Sequence, residues 1–164
     1  MSLLVQQGSS IAIEEAQTLD ELERLRPEWE DLWLRSPQAT PFQSPAWLLP
    51  WSKYLGPGEL WVLVVREQEG LIGIAPFVIH EEDRSGEKQL LLFGTGVSDY
   101  LDLIVAPEKQ RLALTAVWEY LQDNRGRWDT CDFQQLRPRS SLLSNLPTSR
   151  SVSRVKPQRC TART

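Results

Sequence analysis

Apolar residues change their spacing along the chain, and the changes mark out its elements. From Ser10 to Ala16 they alternate, with Ile11 and Ile13 on one side, which predicts a first strand. Thr18-Leu19-Asp20-Glu21 then reads as a capping box, in which threonine caps a helix and glutamate reaches back. The helix carries Leu19, Leu22, Leu25, Trp29, Leu32 and Trp33 on one stripe. Pro27 lies inside it and deletes a backbone bond, so a kink or two abutting helices is expected. After the loop Gln38-Ala39-Thr40-Pro41, Ser44-Pro45 opens a short second helix, serine as cap and proline in the first turn. Trp47, Trp51 and Tyr54 share a face of it, and at helical spacing such a trio fits a core better than a pocket. Pro50 disrupts this helix and Gly56-Pro57-Gly58 ends it.

The spacing then shortens. Leu60–Arg66 and Leu71–His80 are β-rich runs joined by Glu67-Gln68-Glu69-Gly70, a hairpin with a four-residue connection. Gly73 and Pro76 weaken the second run and suggest a bulge. Lys88–Phe93 reads as a third antiparallel strand. A glycine hinge (Gly94-Thr95-Gly96), the polar and aromatic group Asp99-Tyr100-Leu101-Asp102, a strand Leu101–Val105 and a helix opening near Pro107 follow. Leu114, Val117, Trp118 and Leu121 give that helix one apolar face. Trp128–Leu136 is the next strand, and Ser140-Ser141 starts a last short helix to Leu146, stopped by Pro147. The order β-α-α-β-β-β-β-α-β-α predicts an α/β (α+β) domain: a mixed sheet with helices on both faces.

Charge is unevenly placed. The chain has 164 residues and a formal net charge of −4, with 18 basic and 22 acidic residues. Five of the basic ones (Arg150, Arg154, Lys156, Arg159, Arg163) lie beyond Leu146, where no acidic residue occurs. The body 1–146 therefore holds 13 basic against 22 acidic residues, a net −9, which argues against a nucleic-acid-binding domain. Residues 147–164 read as a basic, polar, flexible tail and Met1–Ser9 as a loose end. No run approaches the roughly 20 apolar residues of a membrane span, and the N-terminus lacks a signal-peptide pattern, so a cytoplasmic location is expected. Cys131 and Cys160 are too few and too far apart for a paired-spacing zinc site, His80 is the single histidine, and no metal is expected. Without a Gly-x-Ser-x-Gly elbow, His80 reads as a surface residue closing a strand.

A strand running straight into a helix start makes a natural anion site, because free N–H groups and the helix dipole converge there. At this point Val105-Ala106-Pro107-Glu108-Lys109-Gln110 resembles the opening of the acetyl-CoA motif of GNAT-type N-acyltransferases, which continues Gln/Arg-x-x-Gly-x-Gly/Ala. Here that continuation is Gln110-Arg111-Leu112-Ala113-Leu114-Thr115, with alanine and threonine in the two glycine positions. The resemblance implies acetyl-CoA or another acyl-CoA as donor, with Gln110, Arg111, Ala113 and Thr115 as the cofactor-binding positions. A Cβ at Ala113 and Thr115 is expected to obstruct the pyrophosphate. Trp47-Leu48 with Trp51, Leu71–Phe77, Gly94 and Asp99-Tyr100-Leu101-Asp102 narrow the likeness. In order and spacing they are similar to the N-terminal half of CelD-like cellulose-biosynthesis acetyltransferases, over Phe42 to Leu146.

That likeness implies a GNAT-like, mostly antiparallel sheet over 1–146, lacking the last strands, since Val152–Thr164 is too polar to supply two. It also implies transfer of an acyl group to an amine, with a second GNAT-like half or a second copy as partner. The amine attacks a bound thioester, so a carboxylate to accept its proton and a tyrosine to protonate the leaving thiolate suffice. Asp99, Tyr100 and Asp102 are the catalytic candidates; the plain alternative is that Asp99 caps a turn, Tyr100 packs and Asp102 is solvated. The altered motif makes a degenerate or truncated half, inactive alone, the expected function. The alternative is a non-catalytic scaffold or interaction module of a polysaccharide-biosynthesis system.

Overall fold

The computed structural model describes residues 10–68, 70–145 and 159–162; residues 1–9, 69, 146–158 and 163–164 lie outside the described residues. The strands are β1 (Ile11–Ala16), β2 (Glu59–Glu67), β3 (Gly70–Glu81), β4 (Lys88–Leu92), β5 (Ile104–Val105), β6 (Thr130–Phe133) and β7 (Arg159–Ala162). The helices are α1 (Leu19–Arg35), α2 (Pro45–Tyr54), α3 (Gln110–Asp123) and α4 (Ser141–Asn145). The described strands form one sheet in the order β1-β2-β3-β4-β6-β7, with β5 also paired to β3. β1 to β5 pair antiparallel, whereas β4–β6 and β6–β7 are parallel. The expected mixed, mostly antiparallel α+β sheet is thus the observed one.

Alternation on β2 shows why helices cover both faces. Trp61, Val62, Leu63, Val64 and Val65 are all buried, so neither face meets water. Arg66, on the even face, pairs with Glu28 of α1, whereas Trp61, on the odd face, meets the same carboxylate as Tyr120 of α3. One strand therefore feeds two layers.

α1 runs unbroken through Pro27 and α2 through Pro50, against the expected kink and disruption. Both prolines are exposed, as are Glu23 and Ala46 four residues earlier, whose carbonyls lose their donor toward solvent. The buried stripe Leu22, Leu25, Trp29 and Leu32 stays continuous behind Pro27. The capping box at Thr18 and Glu21 is present, and Ser44 caps α2 by accepting from the Trp47 N–H at 3.3 Å. Ser44→Ala is expected to cost about 1 kcal/mol in a denaturant titration; unchanged stability would reject the cap.

The aromatic trio on α2 does not act as one core face. Trp51 is buried against Phe93, with ring centroids 5.4 Å apart, while Trp47 and Tyr54 are 42% and 72% exposed. Leu48 and Leu49 take the core positions instead. The bulge lies beside Gly73: Val65 pairs with Gly73 and Arg66 with Leu71, so Ile72 has no opposite residue.

Three strands differ from expectation at the C-terminal side; of the expected Trp128–Leu136, Thr130–Phe133 is strand. Only Ile104–Val105 of the expected Leu101–Val105 joins the ladder. Within the tail set aside as polar and flexible, Arg159–Ala162 forms β7, parallel to β6. Backbone pairing, rather than an apolar pattern, defines this strand, which explains why composition hides it.

Candidate functional site

β3 holds both β4, opposite Phe77–Glu81, and β5, opposite Gly73–Ile74. Between β4 and β5 the chain leaves the ladder after Phe93, whose N–H still donates to the Pro76 carbonyl at 2.8 Å. On the other side, β4 and β6 pair only at Gln89–Thr130 and Leu90–Cys131. Beyond that point no further pair joins the two strands, and the excursion 94–103 reaches the stretch after β6. Its turn is tied by Thr95, Val97 and Ser98 N–H groups to Leu92 and Gly94 carbonyls.

This contact is held by the chain's own groups. The Leu101 N–H donates to the Gln135 carbonyl at 2.9 Å. Asp102 is buried and accepts three backbone bonds: from Ser141 N–H at 2.7 Å on Oδ2, and from Leu142 and Leu103 N–H at 3.1 and 2.9 Å on Oδ1. The carboxylate thus satisfies donors that α4 leaves open at its start. Burial pushes its pKa up to about 6, against the opposing pull of those N–H donors and of Arg137. Solvation, the plain alternative for Asp102, is not what the fold provides.

Asp99 and Tyr100 lie on the outer side of the same turn. Asp99 is exposed, and Tyr100 is 53% exposed with φ +60°, a conformation uncommon outside glycine. The backbone reversal there turns Tyr100 and Asp102 apart. Arg137 sits over the Tyr100 ring at 6.0 Å and also donates to the Gln38 carbonyl. Trp47, beside them, donates to Ser98 Oγ at 2.8 Å and meets Phe42 edge-on. Asp99, Tyr100, Trp47 and Arg137 therefore rim one end of the sheet, while Asp102 serves its interior.

The start of α3 has no side-chain cap, but several of its groups already have partners. A 3-10 turn, Pro107–Lys109, precedes it; proline has no N–H, and the Lys109 N–H goes to the Ala106 carbonyl at 2.9 Å. Lys109 Nζ pairs with Glu67 at 2.7 Å, and Glu108 adds an acidic group to the first turn. Gln110 donates to Ser141 Oγ at 3.0 Å, while Arg111 and Thr115 are exposed. Ala113 is fully buried, and its Cβ lies 3.2 Å from where a Cβ on Gly73 would stand. The obstruction expected from Ala113 is therefore absent, because its methyl faces the sheet and fills the room that Gly73 leaves.

A polar cluster that the sequence reading passes over lies on the α3 face, at the far end of that helix. Glu15 accepts from Trp61 Nε1 at 2.6 Å, Tyr120 hydroxyl at 3.0 Å and Arg127 Nη1 at 3.0 Å. Arg127 also lies 4.3 Å over the Trp61 ring and bonds Glu59 at 2.6 Å. Burial raises the Glu15 pKa, but these bonds together hold it below the usual range. The signal was present in the alternation of β1, which puts Glu15 on the apolar side with Ile11 and Ile13. Among the described residues no group of His, Cys, Asp and Glu is placed to hold a metal, and no helix is long and apolar enough to cross a membrane.

No protein-family model and no curated protein matches the sequence. Solved structures do match by fold. A ribosomal-protein-alanine N-acetyltransferase from Brucella melitensis biovar Abortus 2308 superposes with a TM-score of 0.52 at 14% identity, over 89% of this chain and 97% of that one. An aminoglycoside acetyltransferase from an uncultured soil metagenomic sample, in complex with sisomicin, gives 0.48 at 16% identity, over 87% and 91%. An aminoglycoside N-acetyltransferase in complex with CoA gives 0.47 at 18% identity, over 86% of both chains. The fold is that of GNAT-type N-acetyltransferases.

Proposed function

We propose that this chain is a GNAT-like acyltransferase-family domain, of the kind that moves an acyl group from acyl-CoA to an amine, and that alone it holds acetyl-CoA weakly or not at all. The observation that carries this reading is the start of α3. An anion site there needs N–H groups left open and a positive surround. Pro107 offers no donor, the Lys109 N–H is bonded, the Lys109 ammonium is paired with Glu67, and Glu108 brings a like charge to any phosphate. The steric account that rests on Ala113 is replaced by this electrostatic one. Of the catalytic candidates, Asp99 and Tyr100 keep access to a bound acceptor, whereas Asp102 is committed to α4.

Isothermal titration of the full chain with acetyl-CoA tests the reading. No measurable heat, or a dissociation constant near 1 mM, is expected; a micromolar constant, worth about −8 kcal/mol, would overturn it and restore catalysis through Asp99 and Tyr100.

A second reading, an interaction module of a polysaccharide-biosynthesis system as the CelD-like likeness suggests, draws on exposed large side chains. Trp47 and Tyr100 lie at the rim described above, Val97 is exposed in the turn before Tyr100, and Tyr54 and Leu55 end α2. Such surfaces suit a second GNAT-like half or a second copy of the chain. Sedimentation of the chain across concentration distinguishes self-association from a monomer awaiting a separate half.

A further inference from the structure

We propose that Cys131 and Cys160 are a redox pair that fixes β7 to the sheet when joined and releases it when reduced. The backbone register carries the argument. Cys131 of β6 and Cys160 of β7 are direct partners in a parallel ladder. Residues so aligned lie on one face about 4.8 Å apart, within the roughly 4.4–6.8 Å between Cα atoms that a disulfide spans. The chain has two cysteines in all, and Cys131 is disulfide-bonded.

A second observation explains why the bond matters here. Among the described strands β7 pairs with β6 alone, at the edge of the sheet, through four residues, Arg159-Cys160-Thr161-Ala162. That segment holds no large apolar residue, and four ladder positions hold a strand weakly. A covalent tie to a fully buried residue of β6 supplies the anchorage that composition does not. Reduction then leaves β6 as the sheet edge, with its outer N–H and C=O groups open to another extended segment.

The chemistry balances with a small-molecule disulfide such as oxidised glutathione as oxidant. The Cys160 thiolate attacks first, forming a mixed disulfide and expelling one glutathione thiolate. The Cys131 thiolate then attacks the Cys160 sulfur and expels the second. Two protein thiols become one disulfide, and the two electrons and two protons end on two glutathione thiols.

The test uses the full chain. After incubation with oxidised glutathione, alkylation with iodoacetamide under denaturing conditions is expected to add no label; after a phosphine reductant it adds two. Hydrogen exchange at 159–162 is expected to run at least about tenfold faster in the reduced chain, with Leu60–Arg66 unchanged. Cys160→Ser, which leaves the buried Cys131 in place, is expected to exchange like the reduced chain under both conditions. Two labels after glutathione treatment, a disulfide-linked dimer, or equal exchange at 159–162 in the two redox states would each overturn the proposal. So would Cys160→Ser exchanging like the oxidised chain.

Discussion

Asp102→Ala is expected to lose about 3 kcal/mol of stability near neutral pH, and to fall further behind the wild type as the pH is lowered. The first part follows from hydrogen-bond bookkeeping. Three buried N–H groups, on Leu103, Ser141 and Leu142, lose their acceptor, and an unmet buried donor costs about 1–3 kcal/mol. Removing the carboxylate also removes the cost of keeping a charge in the interior, which offsets part of that sum. The second part follows from linkage. The folded-state pKa is raised to about 6 from 3.8, so between those values the folded protein binds more protons than the unfolded chain. The Asp102 contribution to wild-type stability therefore grows as pH falls from about 6 to about 4, by up to about 3 kcal/mol, and the alanine variant lacks it. Other carboxylates titrate alike in both proteins and cancel in the difference. Urea unfolding of both near pH 7 and near pH 4 measures it. A gap that shrinks toward low pH would mean that Asp102 is ionised and favourably so, with the N–H donors outweighing burial.

That buried aspartate also marks how far the sequence could be read. The three central strands, the capped helices and the strand leading into α3 were legible because each has its own local signal: an apolar period, a cap, a short hairpin connection. Asp99-Tyr100-Leu101-Asp102 was legible as a cluster, but not how it divides. The division depends on Tyr100 entering positive φ and on α4 lying within reach of Asp102, 39 residues further along the chain. Neither is a property of the segment itself. Ala113 is a parallel case: the motif frame treats it as a position facing the cofactor, whereas the phase of α3 against Gly73 turns it inward. Arg159–Ala162 had no signal to give, since its place is defined by β6 alongside it.

Gly58→Ala is expected to cost about 3 kcal/mol, at the upper end for an overpacking substitution, because backbone leaves no rotamer to adjust. Gly58 stands immediately before β2, whose first residue, Glu59, pairs with Ile79 of β3. A Cβ on Gly58 would lie 2.0 Å from the Ile79 carbonyl oxygen and 2.8 Å from its carbon, with His80 Cα at 3.1 Å. The contact can be relieved only by moving the start of β2 off β3, which breaks the ladder at Glu59–Ile79 and shifts Trp61, two residues on, from the Glu15 cluster. Tryptophan fluorescence in a denaturant titration reads both consequences. Gly126 supplies the control. It stands in the 3-10 turn after α3 with nothing within 4 Å of an added Cβ and no positive φ. Gly126→Ala should therefore stabilise slightly, by about 0.4–1 kcal/mol, through the unfolded chain alone. Equal effects at the two positions would show that the cost at Gly58 is one of chain entropy and that the close approach to Ile79 is not held in solution.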